Sequence, residues 1–277
     1  MLKNGRPTRP ISTRPIPKKR FGQHFLVHRA QIENILDLLQ AEPKDSLLEI
    51  GPGPGTLTLP MDERGFSLTL VETDLSMIQH LQNQPFQKQH HLIHADFLEL
   101  DLDSLITTPT KVVSNLPYNV SVPITAKLLR KMPLISRMVL MYQREVAVRI
   151  AAAPKSRDYG MISVLCQCFY DIEKGFDLSP GSFQPPPKVW SRVLVFKRRA
   201  EPSLALENLE QMESLLAVLF SHRRKMIAAI LKKWVPGWTT GPALLESYLS
   251  CGFDPQWRPE VLAPDDYSRW LRAALSR

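Results

Sequence analysis

The chain has 277 residues, of which 44% are hydrophobic and 22% are charged, and its formal net charge is +8. This length is sufficient for one large domain with a sizeable core and a smaller second domain. Three cysteines are too few and too unevenly spaced for a disulfide framework, and no apolar run approaches the ~20 residues of a membrane span. We therefore expect a cytoplasmic protein with no membrane partner.

The positive charge is concentrated at the N-terminus. Eight of the 35 Lys and Arg residues and none of the 27 acidic residues lie in residues 1–32, so the remainder of the chain is neutral. The prolines of "RPTRPISTRPIP" predict an extended, poorly ordered arm over residues 1–17. A basic arm on a neutral body indicates a polyanion partner, and nucleic acid is the leading candidate. Two alternatives remain open: a solvated tail that aids solubility, and a mitochondrial transit peptide, which the prolines disfavour.

Helices and strands alternate along the first two thirds of the sequence. Apolar residues at helical spacing predict helices over residues 30–40 and about 123–131. Short apolar and β-branched runs predict five strands, which lie within "SLLEIGPGPGTLT", "FSLTLVETD", "HHLIHADFLEL", "TKVVSNLPY" and "SRMVLMYQREV". This alternation predicts an α/β fold with a parallel sheet wound on both faces.

The pattern changes after the run "RVLVFKRRA" at residues 192–200. Helices alone are predicted beyond it, over residues 206–220, 222–234 and 241–249. We place a domain boundary near residues 200–203, which divides a larger domain of residues 18–202 from a small all-helical domain of residues 203–277.

The cysteines and histidines do not indicate a metal site. Cys166 and Cys168 in "SVLCQCF" would lie on one face of a strand, where a packed apolar pair is expected. The histidines of "HHLIH" would alternate between the two faces of a strand, so they form no compact ligand set.

A glycine-rich turn follows the first predicted strand. Gly51, Gly53 and Gly55 form G-x-G-x-G, which lacks both the dinucleotide spacing and the Lys of a phosphate-binding loop. Glu72 ends the next strand, where an acid accepts from ribose hydroxyls, and Asp96 ends the third, where it can accept from an adenine amine. This order indicates S-adenosylmethionine as cofactor; the alternative is a structural turn with surface acids.

The fourth predicted strand ends in "NLPY". The side-chain oxygen of Asn115 and the backbone carbonyl of Leu116 can accept the two N–H bonds of a nucleobase amine, while Tyr118 stacks on the base. Such acceptors direct the nitrogen lone pair at a sulfonium methyl and stabilise the developing positive charge. The alternative is a proline turn capped by Asn with a half-buried Tyr.

From Lys18 to about Tyr267 the sequence resembles the KsgA family of small-subunit ribosomal RNA adenine N6,N6-dimethyltransferases. Eight stretches in family order carry the resemblance: "KKRFGQHFL", "EIGPGPGTLT", "VETD", "NLPYNVSVPI", "QREVAVR", "YGMISVL", "FQPPPKVWSRV" and "SHRRKMI". The family implies a Rossmann-like, S-adenosylmethionine-dependent methyltransferase domain with a small helical C-terminal domain. It further implies dimethylation of two adjacent adenosines near the 3′ end of small-subunit RNA, and a role in ribosome biogenesis.

The resemblance also implies site residues. The cofactor contacts carry over onto His24, Leu26, Gly51, Glu72, Asp96 and Asn115. Asn115, Leu116 and Tyr118 form the amine-presenting site, and Phe183 is a second aromatic against the target base. Many family members have Asn where this chain has His24, whose imidazole can supply one donor and one acceptor. The other reading of His24 is an ordinary surface histidine.

RNA contacts are expected at two basic segments. The first comprises Lys18, Lys19 and Arg20, and the second comprises Arg223, Arg224 and Lys225 in "SHRRKMIAAILKKW". The second segment is predicted as a helix that packs through a stripe of Met226, Ile227, Ile230 and Leu231 and presents a basic face to phosphates. A solvated face is the alternative. The expected partner is the small ribosomal subunit with its RNA, bound by a monomer.

Two rival functions remain from the sequence. One is an Erm-type methyltransferase that acts on large-subunit RNA, although "NLPYN", "PPPKV" and "RRK" favour the small-subunit family. The other is a ribosome-assembly or transcription factor that uses the same fold without catalysis. The intact glycine turn with Glu72, Asp96 and Asn115 disfavours this second rival.

Overall fold

A computed structural model describes residues 23–276 of the chain. The basic arm predicted over residues 1–17, together with Lys18, Lys19 and Arg20, lies outside the described residues. Within them, nine strands form: β1 Phe25–Leu26, β2 Ser46–Ile50, β3 Leu68–Glu72, β4 His91–His94, β5 Thr110–Asn115, β6 Ile135–Gln143, β7 Tyr170–Leu178, β8 Phe183–Gln184 and β9 Ser191–Arg198.

Seven of these strands form one sheet in the order β4-β3-β2-β5-β6-β9-β7. The strands from β4 to β6 in this order are parallel neighbours, which confirms the five predicted strands and the α/β class. The prediction of an entirely parallel sheet is wrong at one edge, because β9 runs antiparallel to both β6 and β7. No helix long enough for a crossover separates β7 from β9, so the chain must return in the opposite direction.

Helices cover both faces of the sheet, as predicted. They are α1 Arg29–Leu39, α2 Thr58–Glu63, α3 Leu75–Gln82, α4 Leu102–Leu105, α5 Ser121–Leu129, α6 Arg144–Ile150 and α7 Met161–Phe169. One hydrophobic cluster joins α1 to one face through Ile35 and Leu36, and a second cluster joins α5 and α7 to the other face. The predicted first helix and the helix near 123–131 correspond to α1 and α5.

Cys166 and Cys168 lie on the helix α7, so their predicted placement on a strand is wrong. Seven of the nine residues of α7 are buried, and periodicity alone does not distinguish a short buried apolar helix from a buried strand. Both cysteines are fully buried free thiols, which agrees with a packed apolar pair. Burial raises the pKa of the Cys166 thiol, so it stays protonated and unreactive.

The C-terminal region is helical, with α8 Leu209–Ser221, α9 Ile227–Leu231, α10 Gly241–Ser250 and α11 Pro264–Leu275. The prediction of one helix over residues 222–234 is wrong. Met226 has an extended backbone, and the Lys225 amide bonds to the His222 carbonyl at 2.8 Å, so a turn precedes a helix of only five residues. Ile227, for example, is buried, but Met226 is 46% exposed and leaves the predicted stripe.

The helical region packs on α7 and shares its hydrophobic cluster with the sheet. Tyr159, which precedes α7, is buried and donates to the Leu262 carbonyl at 3.0 Å, just before α11. Trp270 of α11 is fully buried in the same cluster. One continuous hydrophobic core includes residues on both sides of residue 203. The division into two domains at this residue therefore stays a prediction. None of the helices within residues 23–276 is long and apolar enough to cross a membrane.

Candidate active site

A cavity of about 210 Å³ opens at the carboxyl ends of β2, β3 and β5. This edge of an open α/β sheet is where ligands bind, because the loops that follow the strands converge there. The sequence-predicted residues that line the cavity are His24, Leu26, Gly51, Glu72, Asp96, Asn115, Leu116 and Tyr118. The structure therefore brings together all of the predicted cofactor and amine-presenting residues, and it leaves Phe183 and the basic segment of Arg223, Arg224 and Lys225 outside the cavity lining.

The glycine turn has a backbone that only glycine adopts readily. The φ angles of Gly51, Gly53 and Gly55 are +67°, +55° and +86°, all in the left-handed region. A Cβ on Gly53 would also lie 2.9 Å from the Phe25 ring of β1. The turn therefore needs glycine both for its own conformation and for the close approach of the N-terminal strand above it.

Glu72 holds the glycine turn from the end of β3. Its carboxylate is 5% exposed and accepts from the amides of Gly53 at 3.0 Å and Asp74 at 2.9 Å. Burial raises the pKa of Glu72 above its ordinary value, although these backbone bonds oppose the shift. Each carboxylate oxygen still has a second lone pair, so the group can accept from two ligand hydroxyls without losing its anchors.

Glu49 is a cavity residue that the sequence analysis missed. It is 2% exposed, and burial, with the nearby charge of Glu72, raises its pKa to about 8. At neutral pH the carboxyl is therefore mostly protonated and has an O–H donor. The Thr58 hydroxyl donates to its other oxygen at 2.6 Å. The signal was present, because Glu49 is an acid inside an otherwise apolar strand directly before the glycines.

Asp96 is the exposed acid of the cavity. Its Oδ1 accepts from the Leu98 amide at 2.9 Å, which fixes the carboxylate after β4 and leaves Oδ2 for a ligand amine. Together with Glu72, it places carboxylate acceptors behind two successive strands. This is the arrangement that the sequence predicted for the nucleoside of the cofactor.

Asn115 is oriented by the N-terminal segment. Its Nδ2 donates to the backbone carbonyl of His24 at 2.9 Å. Because the amide nitrogen is used in this way, the Oδ1 atom is the acceptor available to a substrate amine. Leu116, whose side chain is buried, follows with its backbone at the cavity wall.

Tyr118 is held at both its hydroxyl and its ring. The hydroxyl forms a 2.6 Å hydrogen bond with Ser191 Oγ, and the ring is stacked on the His24 imidazole with centroids 5.7 Å apart. Burial raises the pKa of Tyr118, so the hydroxyl stays neutral. The His24 Nδ1 donates to the Pro185 carbonyl at 2.8 Å, which sets the imidazole orientation. Sequence reasoning missed Ser191 and Pro185 because both are distant in the chain.

Phe183 does not reach the cavity in this structure. It pairs with Leu26 where β8 runs antiparallel to β1, and it is 3% exposed within the hydrophobic cluster that includes α1. Its predicted position against the target base would require the ring to leave this core. The stacking role of Phe183 therefore stays a prediction, and the structure gives it a packing role.

Replacing Phe183 with Ala is expected to lower the free energy of unfolding by about 3–5 kcal/mol, because a buried ring leaves a cavity. Chemical denaturation of the variant measures this loss. Phe183→Leu is the companion variant, since it retains most of the buried apolar volume. If Phe183→Leu folds normally but loses methyl transfer, the ring acts on the substrate; if Phe183→Ala is as stable as the parent chain, the packing role fails.

The second basic segment is partly engaged in the fold. Arg223 is half-buried, lies 3.3 Å from Glu260 and donates to the Arg157 carbonyl at 2.9 Å. Lys225 lies 4.2 Å above the Trp234 ring, and Arg224 is exposed. Arg224 and Lys225 can therefore face a phosphate more readily than Arg223, whose bonds hold the turn in place.

The histidines near β4 have structural partners. His90 is buried and accepts from the Leu68 amide at 3.1 Å, so its other ring nitrogen donates to Asp62. His91 and His94 are exposed. Across residues 23–276, no group of three or more His, Cys, Asp or Glu side chains is arranged to hold a metal ion.

Sequence comparison shows which proteins this chain is similar to. A family model described as ribosomal RNA adenine dimethylase matches residues 17–242. Ribosomal RNA small subunit methyltransferase A of Syntrophotalea carbinolica is 39% identical over 256 residues, which cover 91% of this chain and 95% of that protein. The protein of the same name from Geobacter metallireducens is 37% identical over 265 residues, covering 94% and 96%.

Comparison with solved structures gives the same fold. A dimethyladenosine transferase from Plasmodium falciparum has a TM-score of 0.74 at 23% identity and covers 89% of this chain and 96% of its own. The 23S rRNA methyltransferase ErmE has a TM-score of 0.63 at 25% identity and covers 90% and 98%. Both matches cover about nine tenths of this chain, so the fold is shared with both proteins.

Proposed function

This chain belongs to the ribosomal RNA adenine dimethylase family, and on that premise we propose that it dimethylates N6 of two adjacent adenosines near the 3′ end of small-subunit ribosomal RNA. The methyl donor is S-adenosylmethionine. The observation that carries the proposal is the orientation of Asn115, whose Nδ2 is bonded to the His24 carbonyl so that Oδ1 is presented as an acceptor.

The chemistry at the amine follows from this arrangement. S-Adenosylmethionine supplies a methyl group made electrophilic by the sulfonium. The adenine N6 is a poor nucleophile because its lone pair is delocalised into the ring. The Oδ1 of Asn115 and the backbone carbonyl of Leu116 would accept hydrogen bonds from its N–H groups and would orient the lone pair for methylation. These bonds strengthen as positive charge develops on nitrogen, so they act mainly in the transition state.

Tyr118 positions the base for this attack. Its hydroxyl bond to Ser191 and its contact with the His24 ring hold the phenol plane in one orientation. A base that stacks on the remaining surface of the ring would be held in one orientation for the transfer, and stacking contributes ~1–3 kcal/mol per base. The amine loses its proton to water after alkylation, so no strong general base is required.

The cofactor is assigned to the cavity residues around the glycine turn. A side chain at Gly53 would meet Phe25, so the turn keeps a bare backbone that a ligand can approach. Glu72 would accept from the ribose hydroxyls and Asp96 from the adenine amine. Gly51, His24, Leu26 and Asn115 would complete the binding site.

The small subunit is favoured over the large subunit as the substrate. Relatives named small subunit methyltransferase A are 35–40% identical over most of this chain. A purely non-catalytic role is disfavoured by the complete set of Glu72, Asp96 and Asn115 in one cavity. We further infer a monomer that acts in the cytoplasm during ribosome biogenesis.

The direct test is methylation of immature small subunits with labelled S-adenosylmethionine, followed by mapping of the modified nucleotides. We expect N6,N6-dimethyladenosine at two adjacent positions near the 3′ end of the RNA. Immature large subunits serve as the matched substrate control. Label that appears only in large-subunit RNA would contradict the proposal and favour the Erm-type alternative.

Deleting residues 1–17 is expected to weaken subunit binding and to flatten the slope of log affinity against log salt. The segment holds four Lys or Arg residues and no acid, and removing one cation from a phosphate reduces the slope by about 0.7 on single-stranded RNA. The measurement is a salt titration of binding. Changing the four basic residues to Gln at constant length should reproduce the effect, and S-adenosylmethionine affinity should not change. Equal slopes would identify the segment as a solvated tail.

A further inference from the structure

An exposed aromatic residue lies one position before Ser191, the hydrogen-bond partner of Tyr118, and none of the roles above uses it. Trp190 is 50% exposed, and its neighbours Lys188 and Val189 are exposed as well. A Trp side chain usually buries most of its large apolar surface, so a half-exposed indole marks a surface suited to a partner.

The backbone at Trp190 is anchored, so the indole is presented from a fixed support. The Trp190 carbonyl accepts from the Arg144 amide at the start of α6 at 2.8 Å. The next residue, Ser191, is fully buried and bonds to the Tyr118 hydroxyl at 2.6 Å. Trp190 is therefore one residue away from the group that positions the base-stacking tyrosine.

The surroundings of Trp190 are positively charged. Arg192 holds the Asp177 carboxylate through two hydrogen bonds of 2.5 and 2.9 Å, so the charge of Asp177 is already paired. The Arg144 side chain is 56% exposed and lies 3.8 Å from the same carboxylate. Lys188 forms no ion pair with any residue that the structure describes. Arg144, whose amide bonds to the Trp190 carbonyl, and Lys188, two residues before Trp190, thus bring positive charge to this part of the surface.

We propose that Arg144, Lys188, Val189 and Trp190, here called the Trp190 platform, bind single-stranded RNA next to the target adenosine. The indole of Trp190 stacks on a base that flanks the adenosine, and Arg144 and Lys188 contact the adjoining phosphates. This proposal rests on the proposed function, because a base taken out of its stack for chemistry leaves its neighbours at the mouth of the cavity.

The positive charge and the exposed aromatic ring together favour RNA over a protein partner. Single-stranded RNA is bound by aromatic faces that stack on bases and by cations that follow the backbone, and this surface has both. The run Pro185–Pro187 before Lys188 restricts the backbone, so little conformational entropy is lost when the indole binds a base.

The test compares the full chain with Trp190→Ala, Trp190→Phe and Leu249→Ala in binding to a short single-stranded RNA that contains two adjacent adenosines. Trp190→Ala should bind about 5- to 100-fold more weakly, because the stacking of one base is removed. Trp190→Phe should retain most of the affinity but lose much of the tryptophan fluorescence quenching caused by RNA. Leu249, an exposed apolar residue on α10, is the matched control and should show the affinity of the parent chain.

The outcomes separate this proposal from the function on which it rests. Cofactor affinity should stay unchanged in all variants, which shows that they are folded. If the parent chain methylates small-subunit RNA while Trp190→Ala binds RNA as tightly as the parent, the platform is overturned and the surface is left for a protein partner. If the parent chain transfers no methyl group to RNA, the proposed function is wrong. RNA binding by the platform does not by itself restore that function.

Discussion

Replacing Asn115 with Ala is expected to lower the turnover of methyl transfer by about 10²–10³-fold, because it removes an acceptor that acts mainly in the transition state. The side chain is half-buried, and its bond to the His24 carbonyl is one contact among many at the cavity. The fold and most of the cofactor affinity should therefore survive. Single-turnover transfer to small-subunit RNA, measured at saturating cofactor, isolates the chemical step.

Two controls make the Asn115 result interpretable. Asn83→Ala removes an asparagine at the exposed end of α3, far from the cavity, and should leave turnover unchanged. Thermal unfolding of Asn115→Ala with and without S-adenosylmethionine reports whether the fold and the cofactor site persist. Turnover near that of the parent chain in a folded variant would rule out amine presentation by Asn115.

Replacing Glu72 with Gln is expected to weaken S-adenosylmethionine binding by about 100-fold. A charged acceptor contributes about 1.5–3 kcal/mol per hydrogen bond, and Gln keeps only one oxygen for the Gly53 and Asp74 amides and for the ribose hydroxyls. The NH2 group of Gln is a donor, so it cannot accept a hydrogen bond from either of these amides. The glycine turn therefore loses an anchor at the same time as the cofactor loses an acceptor.

Calorimetric titration with S-adenosylmethionine measures the Glu72 effect directly. Glu63→Gln is the matched control, because Glu63 is a surface acid on α2 that pairs with Arg29. It should bind the cofactor as the parent chain does. Cofactor affinity that is unchanged in Glu72→Gln would show that the buried carboxylate only supports the turn.

The parts of the fold that sequence predicted are those with local signals. The parallel strands are short β-branched and apolar runs, and α1 has one clear apolar face. The predicted site residues share one cavity because Glu72 and Asn115 end β3 and β5 and Asp96 follows β4, and the carboxyl ends of parallel strands meet at one edge. Their order along the chain was therefore enough to bring them together.

Most of the parts that were missed have no such local signal. The strand β7, "YDIEKGFDL", is an edge strand with many exposed polar residues, and it was not predicted. The helix α11 was also missed, although it begins with proline and two acids, a common helix start. Contacts such as Tyr118 with Ser191 and His24 with Pro185 join distant segments, so no spacing rule reveals them.

The pairing of β1 with β8 determines when the active site is completed during synthesis. The chain emerges from its N-terminus, so Gly51, Glu72, Asp96 and Asn115 are all made before Phe183 and Gln184 of β8. Closing this long loop is entropically unfavourable until the intervening sheet has formed. A nascent chain that ends before β8 therefore has the floor of the cavity, but its first strand has no partner there to hold the His24 ring against Tyr118.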